Sequence, residues 1–254
     1  MIDHYCREPG VRSLERHTKK LMDKIAYQIV QKMDKGEIID PIHIQNDNLR
    51  EFLGIPIFAE ENLYETTPPG VVTGLAYTQL GGSVLFLESR ARSFGRRFGE
   101  GRPGLKVTGS LGDVMKESMQ IAYTYARSYL NTTGNRFLEE NEVHIHCPEG
   151  AVPKDGPSAG VAITSSLISL AMNQALKQKI GMTGEISLRG NVMKIGGVKE
   201  KVLAGKREGL TDLIFPEDNR DDIEDLKDYI KDGIQFHLVK EYSQVASIVF
   251  AKEA

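Results

Sequence analysis

Apolar residues at Leu14, Leu21, Ile25, Ile29 and Met33 recur near a 3.6 period with Lys and Arg between them. That spacing predicts one amphipathic helix from Val11 to Met33, ended by Asp34-Lys35-Gly36. Ile42-His43-Ile44 alternates briefly. Asn46-Asp47-Asn48 then offers caps for a short helix, Leu49 to Leu53, closed by Gly54. Ile55 to Gly70 holds three prolines and an acidic run and reads as a linker. From Val71 the texture changes. Gly70–Tyr77 and Ser83–Glu88 read as strands joined by Leu80-Gly81-Gly82, a hairpin signal. Ser89 to Gly104 has no period and reads as a loop, and Leu105–Thr108 as a strand. Asp113–Leu130 is an amphipathic helix. Glu142–Cys147 alternates strictly, with Val143, Ile145 and Cys147 on one face and His144 and His146 on the other. Ala159–Ala175 is apolar nearly all round, so it is a helix buried on most sides. Ile180–Leu188 and Val192–Ile195 flank the turn Arg189-Gly190-Asn191. Helix Val198–Glu208, strand Asp212–Phe215, helix Asp218–Ile230, strand Gln235–Val239 and helix Glu241–Phe250 follow. This alternation predicts an α/β fold, with α+β character in the first half. The expected division is 1–63, a partial helical piece and linker, and 64–254, the main domain.

The chain has 254 residues, long enough for one domain or two unequal ones, and a formal charge of −3. That balance excludes a protein that is basic throughout and coats nucleic acid. Two cysteines, Cys6 and Cys147, make no disulfide framework and point to a reducing compartment. No apolar run has the length of a membrane helix, so no membrane contact is expected. The first residues carry neither a signal-peptide core nor a transit-peptide pattern. Tyr5-Cys6-Arg7 follows no turn or cap, which suggests a piece of a longer chain with Met1 as a supplied start.

The most informative segment is the loop from Pro148 to Gly160, which sets Ser158 at the entrance of the buried helix. Exposed N–H groups at a helix start favour a negative charge there, as acyl transfer by a hydroxyl nucleophile requires. A plain N-cap serine is the alternative, and the flanking Gly and Pro residues weigh against it by forcing an unusual backbone. Gly156-Pro-Ser158-Ala-Gly160 also satisfies the G-x-S-x-G pattern of α/β-hydrolase esterases. Ten residues with three prolines between Cys147 and Ser158 argue against that elbow, whose histidine would have to be His237. A phosphate cradle lacks the N–H donors that Pro153 and Pro157 remove. The proton acceptor for Ser158 is His144, His146, His237 or a desolvated lysine. In the helix after Gly196-Gly197, Val198, Lys201, Val202 and Gly205 share one face. Lys201 therefore lies on the apolar side, either with a lowered pKa or with its head snorkelling to water. His144-x-His146 has zinc-compatible spacing, but no third ligand is evident, and no metal is expected.

Pro153-Lys-Asp-Gly-Pro-Ser158-Ala-Gly160, Met182-Thr-Gly-Glu185-Ile-Ser and Gly196-Gly-Val-Lys-Glu-Lys201, in that order, resemble the proteolytic domain of the Lon family of ATP-dependent proteases. The resemblance runs from about Gly70 to the C-terminus. It implies a Lon-type serine protease domain whose Ser-Lys dyad falls on Ser158 and Lys201. Thr183 matches the threonine that orients the lysine amine, and Asp155 the loop acid that can gate the site. His144 and His146 match the strand before the serine loop. Where many members have Trp in the early strand, this chain has Tyr77. Residues 5–16 look like the sensor-2 helix of an AAA+ small subdomain, with Arg12 matching the arginine that contacts ATP phosphates across the ring.

The resemblance therefore implies a serine endopeptidase that degrades unfolded or damaged protein as the proteolytic part of an ATP-dependent machine. A non-catalytic assembly module of the same fold is the competing reading. ATP and Mg serve the complete protein; no cofactor is expected here, because the sequence has no Walker motif. The implied partners are an unfolded protein or peptide and further copies in a hexameric ring. The Arg-rich stretch with Arg90, Arg92, Arg96, Arg97 and Arg102 resembles the extended loop of mitochondrial members. It reads as a solvated loop or as a contact for nucleic acid or a partner. The implied location is the mitochondrial matrix, with the bacterial cytoplasm as alternative.

Overall fold

The computed structural model describes residues 1–6, 8, 10–38, 40–57, 64, 66–78, 81–93, 103–148 and 153–250. The chain forms two compact units, Met1–Glu65 and Thr66–Ala254. The first contains α1 (Ile2–Tyr5), α2 (Arg12–Asp34) and α3 (Leu49–Leu53). The Glu8 carboxylate accepts the Ser13 and Leu14 N–H groups and so caps the start of α2. A small cluster of Tyr5, Cys6, Leu21, Leu49, Phe52 and Leu53 forms its core. Ile42 and Ile44 pack on that cluster, but no strand forms there. Met22, Tyr27, Val30 and Met33 on α2 stay exposed.

The second unit carries β1 (Val71–Thr78), β2 (Gly81–Ser93), β3 (Gly104–Thr108), α4 (Asp113–Thr132), α5 (Phe137–Glu140) and β4 (Asn141–His146). After the serine loop come a 3-10 turn (Pro157–Ala159), α6 (Gly160–Met172), β5 (Ile180–Met182), β6 (Glu185–Ile186), β7 (Val192–Met193) and α7 (Val198–Arg207). Then follow β8 (Asp212–Pro216), α8 (Arg220–Glu224), α9 (Asp228–Lys231), β9 (Gln235–Val239) and α10 (Tyr242–Val249). Among the described residues, seven strands form one mixed sheet in the order β3-β4-β2-β1-β5-β8-β9, and β6 pairs with β7 apart from it. β1, β2 and β4 are joined antiparallel, whereas β1-β5, β5-β8 and β8-β9 are parallel. The α+β first half and α/β second half thus meet at the β1-β5 pair.

Alternation along the strands sends residues to two cores, one on each side of the sheet. Val72, Leu87, Val143, Ile145 and Ile214 join residues of α4, α6 and α10. Leu75, Leu213 and Phe215 join residues of α7, α8 and α9. α6 is buried along most of its length. Its polar residues are satisfied: Ser165 accepts the Tyr242 hydroxyl, Ser166 meets Ser89 and Gly70, and Ser169 accepts the Gly70 N–H.

Four expectations are corrected. Ser89–Ser93 is strand, paired with β4, because Ser89 and Ala91 alternate with Arg90 and Arg92 at the strand period. The rest of that Arg-rich stretch, 94–102, lies outside the described residues. Pairing between β1 and β2 reaches Thr78↔Gly81, so Gly81 and Gly82 belong to the strand rather than the turn. Ile180–Leu188 is not one strand: the chain leaves the large sheet at Thr183-Gly184 to meet the serine turn and then enters the small one. Asp218–Ile230 is two short helices separated by extended backbone at Lys227 (ψ 145°). The apolar period there is kept because Ile223, Leu226 and Ile230 press the same core.

Candidate active site

Ser158 sits in the 3-10 turn that opens α6. Gly156 just before it has φ 145°, a conformation that side chains other than glycine's resist. The turn is tied down from behind. The Ser158 carbonyl accepts the Gly184 N–H at 2.8 Å and the Thr183 hydroxyl at 3.1 Å. Val161 N–H donates to the Gly184 carbonyl at 3.0 Å. Of the helix-start donors, Gly160 N–H is spent on Pro157 and Val161 N–H on Gly184. The expectation of exposed N–H groups at this helix start does not hold for these two. The Gly160 N–H closes the turn on Pro157, and the Val161 N–H stitches it to the Thr183-Gly184 corner.

Lys201 reaches the same corner from α7. Gly197, in the left-handed region at φ 69°, turns the chain into that helix. A Cβ at Gly197 would lie 2.8 Å from the Tyr77 ring, so glycine there lets Tyr77 close over the helix start. Val198, Lys201, Val202 and Gly205 are all buried, as their shared face requires. Lys201 is 2% exposed, which rules out snorkelling. Its Nζ donates to Thr183 Oγ1 at 3.0 Å. Burial lowers its pKa from the usual lysine value to about 8.

The hydrogen-bond directions in this chain matter. Thr183 gives its one hydrogen to the Ser158 carbonyl, so toward Lys201 it can only accept. The amine therefore spends an N–H on Thr183, and its lone pair, once the amine is neutral, is left free for another proton.

The other sequence-predicted residues fall in different places. Asp155 does not touch Lys201; its carboxylate accepts the Met115 N–H at the start of α4, 2.9 Å away. His144 Nε2 and His146 Nδ1 both meet the Thr108 hydroxyl, at 2.9 and 2.7 Å. One hydroxyl offers one hydrogen, so at least one of the two rings must donate to it. Burial lowers the His144 pKa, and the nearby Lys106 and His146 add to that. Among the described residues, no group of three His, Cys, Asp or Glu is placed to hold a metal. Arg12, in the first unit, is exposed at the first position of α2. His237 bonds Asp212 Oδ1 at 2.7 Å, and Lys177 bonds the same oxygen at 3.0 Å. Among the described residues no hydrogen bond joins His237 to Ser158, so the esterase elbow finds no base there. No helix among the described residues is long and apolar enough to cross a membrane.

Sequence reasoning missed three positioning groups. Thr108 is matched to His146 by strand register, which the sequence does not state. Ser118 donates to the Pro157 carbonyl across 39 residues. Asn219, fully buried, accepts the Ile195 N–H and donates to the Ile195 carbonyl, fixing the loop that leads into α7. A buried asparagine in an acidic, helix-like stretch was the only available signal.

Residues 43–252 match the family model for the Lon protease (S16) C-terminal proteolytic domain, and residues 1–38 the one for the Lon protease AAA+ ATPase lid domain. The mitochondrial Lon protease homolog of Ostreococcus lucimarinus is 47% identical over 96% of this chain and 26% of its own length. That of Bos taurus is 45% identical over 100% of this chain and 26% of its own. The Lon protease of Chlamydia muridarum is 46% identical over 98% and 30%. The chain thus spans less than a third of the length of these relatives.

Proposed function

The chain belongs to the Lon protease family, and from that membership we propose that it hydrolyses peptide bonds with Ser158 as nucleophile and Lys201 as base. The observation that carries this reading is the linked set Lys201–Thr183–Ser158 around a buried lysine. Neutral Lys201 takes the Ser158 hydroxyl proton as Oγ attacks the substrate carbonyl carbon. The Ser158 N–H, beside the nucleophile, is our donor to the developing oxyanion, since Gly160 and Val161 are spent. Lys201 then passes its proton to the leaving amine. Water repeats the sequence on the acyl-enzyme, with Lys201 again as base. Thr183 keeps the amine pointed, and His144 and His146 line the approach.

The substrate in this reading is an unfolded chain bound as an extended strand. Residues 1–63 serve as part of the AAA+ lid and 64–254 as the protease. In the complete protein, ATP and Mg act at the large ATPase module, where exposed Arg12 is the residue we assign to the nucleotide phosphates. The complete protein works as a hexameric ring, in the mitochondrial matrix or, as for the Chlamydia relative, in a bacterium. The basic stretch 89–104 is a secondary candidate for nucleic acid. A serine-reactive electrophilic probe tests the core of the proposal. It should label Ser158, and Ser158→Ala should abolish both labelling and cleavage of an unstructured peptide while leaving the melting temperature within a few degrees. Cleavage retained by purified Ser158→Ala would refute the mechanism and leave the non-catalytic module as the reading.

A further inference from the structure

We infer that Asp155 is a positioning residue that latches the Ser158 loop to the start of α4, an inference that rests on the proposed role of Ser158. The helix begins at Asp113, and its N-cap residue, Gly112, has no side chain with which to cap it. The Asp155 carboxylate fills that place from another segment, accepting the Met115 N–H at 2.9 Å. The substitution is spatial as well as chemical. A Cβ on Gly112 would fall 2.3 Å from Asp155 Cγ, so the volume a cap side chain needs is already taken.

The contact does not stand alone. Gly112 N–H donates to the Lys154 carbonyl at 2.8 Å, and Lys154 N–H donates to the Ser110 carbonyl at 3.0 Å. One helical turn further along α4, Ser118 Oγ donates to the Pro157 carbonyl at 3.3 Å. Residues 154–157 are therefore pinned to 110–118 at four points, and Ser158 is the next residue. The Asp155 carboxylate is the only one of the four acceptors that a side-chain change can remove while the backbone of the loop stays as it is. A carboxylate at a helix start also meets the positive end of the helix dipole, which gives the latch a direction. The consequence is that α4, which supplies none of the reacting groups, sets where the nucleophile stands.

The latch and an ordinary helix cap make different predictions. Gly112 has φ −72° and ψ 173°, the backbone of a normal N-cap residue, so serine adopts it without backbone strain once Asp155 gives way. In Gly112→Ser the new hydroxyl caps α4 and the new Cβ expels Asp155. The helix keeps its cap, and the loop loses its tether. We expect the melting temperature of Gly112→Ser to be maintained. Amide hydrogen exchange over 154–160 should quicken, and kcat for an unstructured peptide should fall about ten- to a hundredfold with KM little changed, as displacement of a reacting group by about an ångström does. Asp155→Ala should show the same exchange and kcat changes together with a lower melting temperature. Asp113→Asn, whose carboxylate meets exposed Lys116, should change neither exchange nor rate. If Gly112→Ser keeps both parental exchange over 154–160 and parental kcat, Asp155 is only a cap and the inference fails. Should Gly112→Ser fail to fold, Asp155→Ala, which removes the acceptor altogether, reads the same exchange, and unaltered protection over 154–160 in it overturns the latch. A parent chain that neither cleaves peptide nor takes up the serine probe would defeat the protease reading, while the exchange measurement still decides the latch.

Discussion

Thr183 has one hydroxyl hydrogen, and on the proposed mechanism its direction decides whether Lys201 can act as a base. It goes to the Ser158 carbonyl, which also accepts the Gly184 N–H. Thr183→Val should therefore fold, since the carbonyl keeps one donor. It should lower kcat about ten- to a hundredfold because the amine loses its orientation, and Thr183→Ser should restore most of the rate. Steady-state peptidase assays decide this; equal rates for the Val and Ser variants would remove Thr183 from the mechanism. Lys201 carries its own pH prediction. Its folded pKa is lowered to about 8 by burial, whereas in the unfolded chain it is that of an ordinary lysine. Below pH 8 the buried amine is an ammonium and cannot accept a proton, so the rate should climb as pH rises through about 8. Stability moves the same way. The unfolded chain binds the extra proton, so the penalty of the buried ammonium is full below pH 8 and is relieved as pH rises toward the unfolded value. Lys201→Met should consequently be inactive yet more stable at pH 7, by about 1–3 kcal/mol in denaturant melts. An unchanged or lower stability would mean that the ammonium is better solvated than its 2% exposure implies.

At the level of elements, helix α7 and strand β4 could be read from the chain almost residue by residue. Each has a burial period of its own: Val198, Lys201, Val202 and Gly205 on one helix face, and Val143 and Ile145 against His144 and His146 on the strand. The candidate site residues could be picked out where a period or a motif carried them. Their connections were not, because a side chain that bridges segments distant in sequence leaves no local pattern. Thr108 under two histidines, Asp155 on α4 and Asn219 on Ile195 are all of that kind. The same blindness explains the misread break at Lys227, where two helices in sequence serve one core face. Asn219 yields a prediction at this scale. Its removal strands the buried N–H and C=O of Ile195, the residue three before α7 begins. Asn219→Ala should therefore cost about 2–3 kcal/mol in chemical denaturation. A loss under half a kcal/mol would mean that water replaces the amide.

Across the whole molecule, the sheet is held at its β5-β8-β9 end by a charge cluster away from the serine. Burial alone would raise the Asp212 pKa, but hydrogen bonds from His237, Lys177 and Thr211 outweigh it, and the net direction is down. A lowered carboxylate contributes stability above its unfolded value, about 3.9, that is lost as pH falls through the folded one. Asp212→Asn should thus lower stability by about 3 kcal/mol near neutral pH, with the gap to the parent closing below about pH 4 in melts taken across that range. A gap that persists into acid would assign the loss to packing instead. The seam between the two halves of the sheet has a consequence for the protein's birth. Ser158 is made early, in the segment just before β5, but Thr183 is fixed only when its N–H finds the Ile214 carbonyl in β8, and Lys201 lies between the two. A chain still on the ribosome and finished only as far as β5 holds the Ser158 hydroxyl without Lys201, the base we propose for it. On the proposed mechanism the nucleophile is thus inert while the growing polypeptide is itself unfolded and cleavable, and it is armed only once β8 joins the sheet.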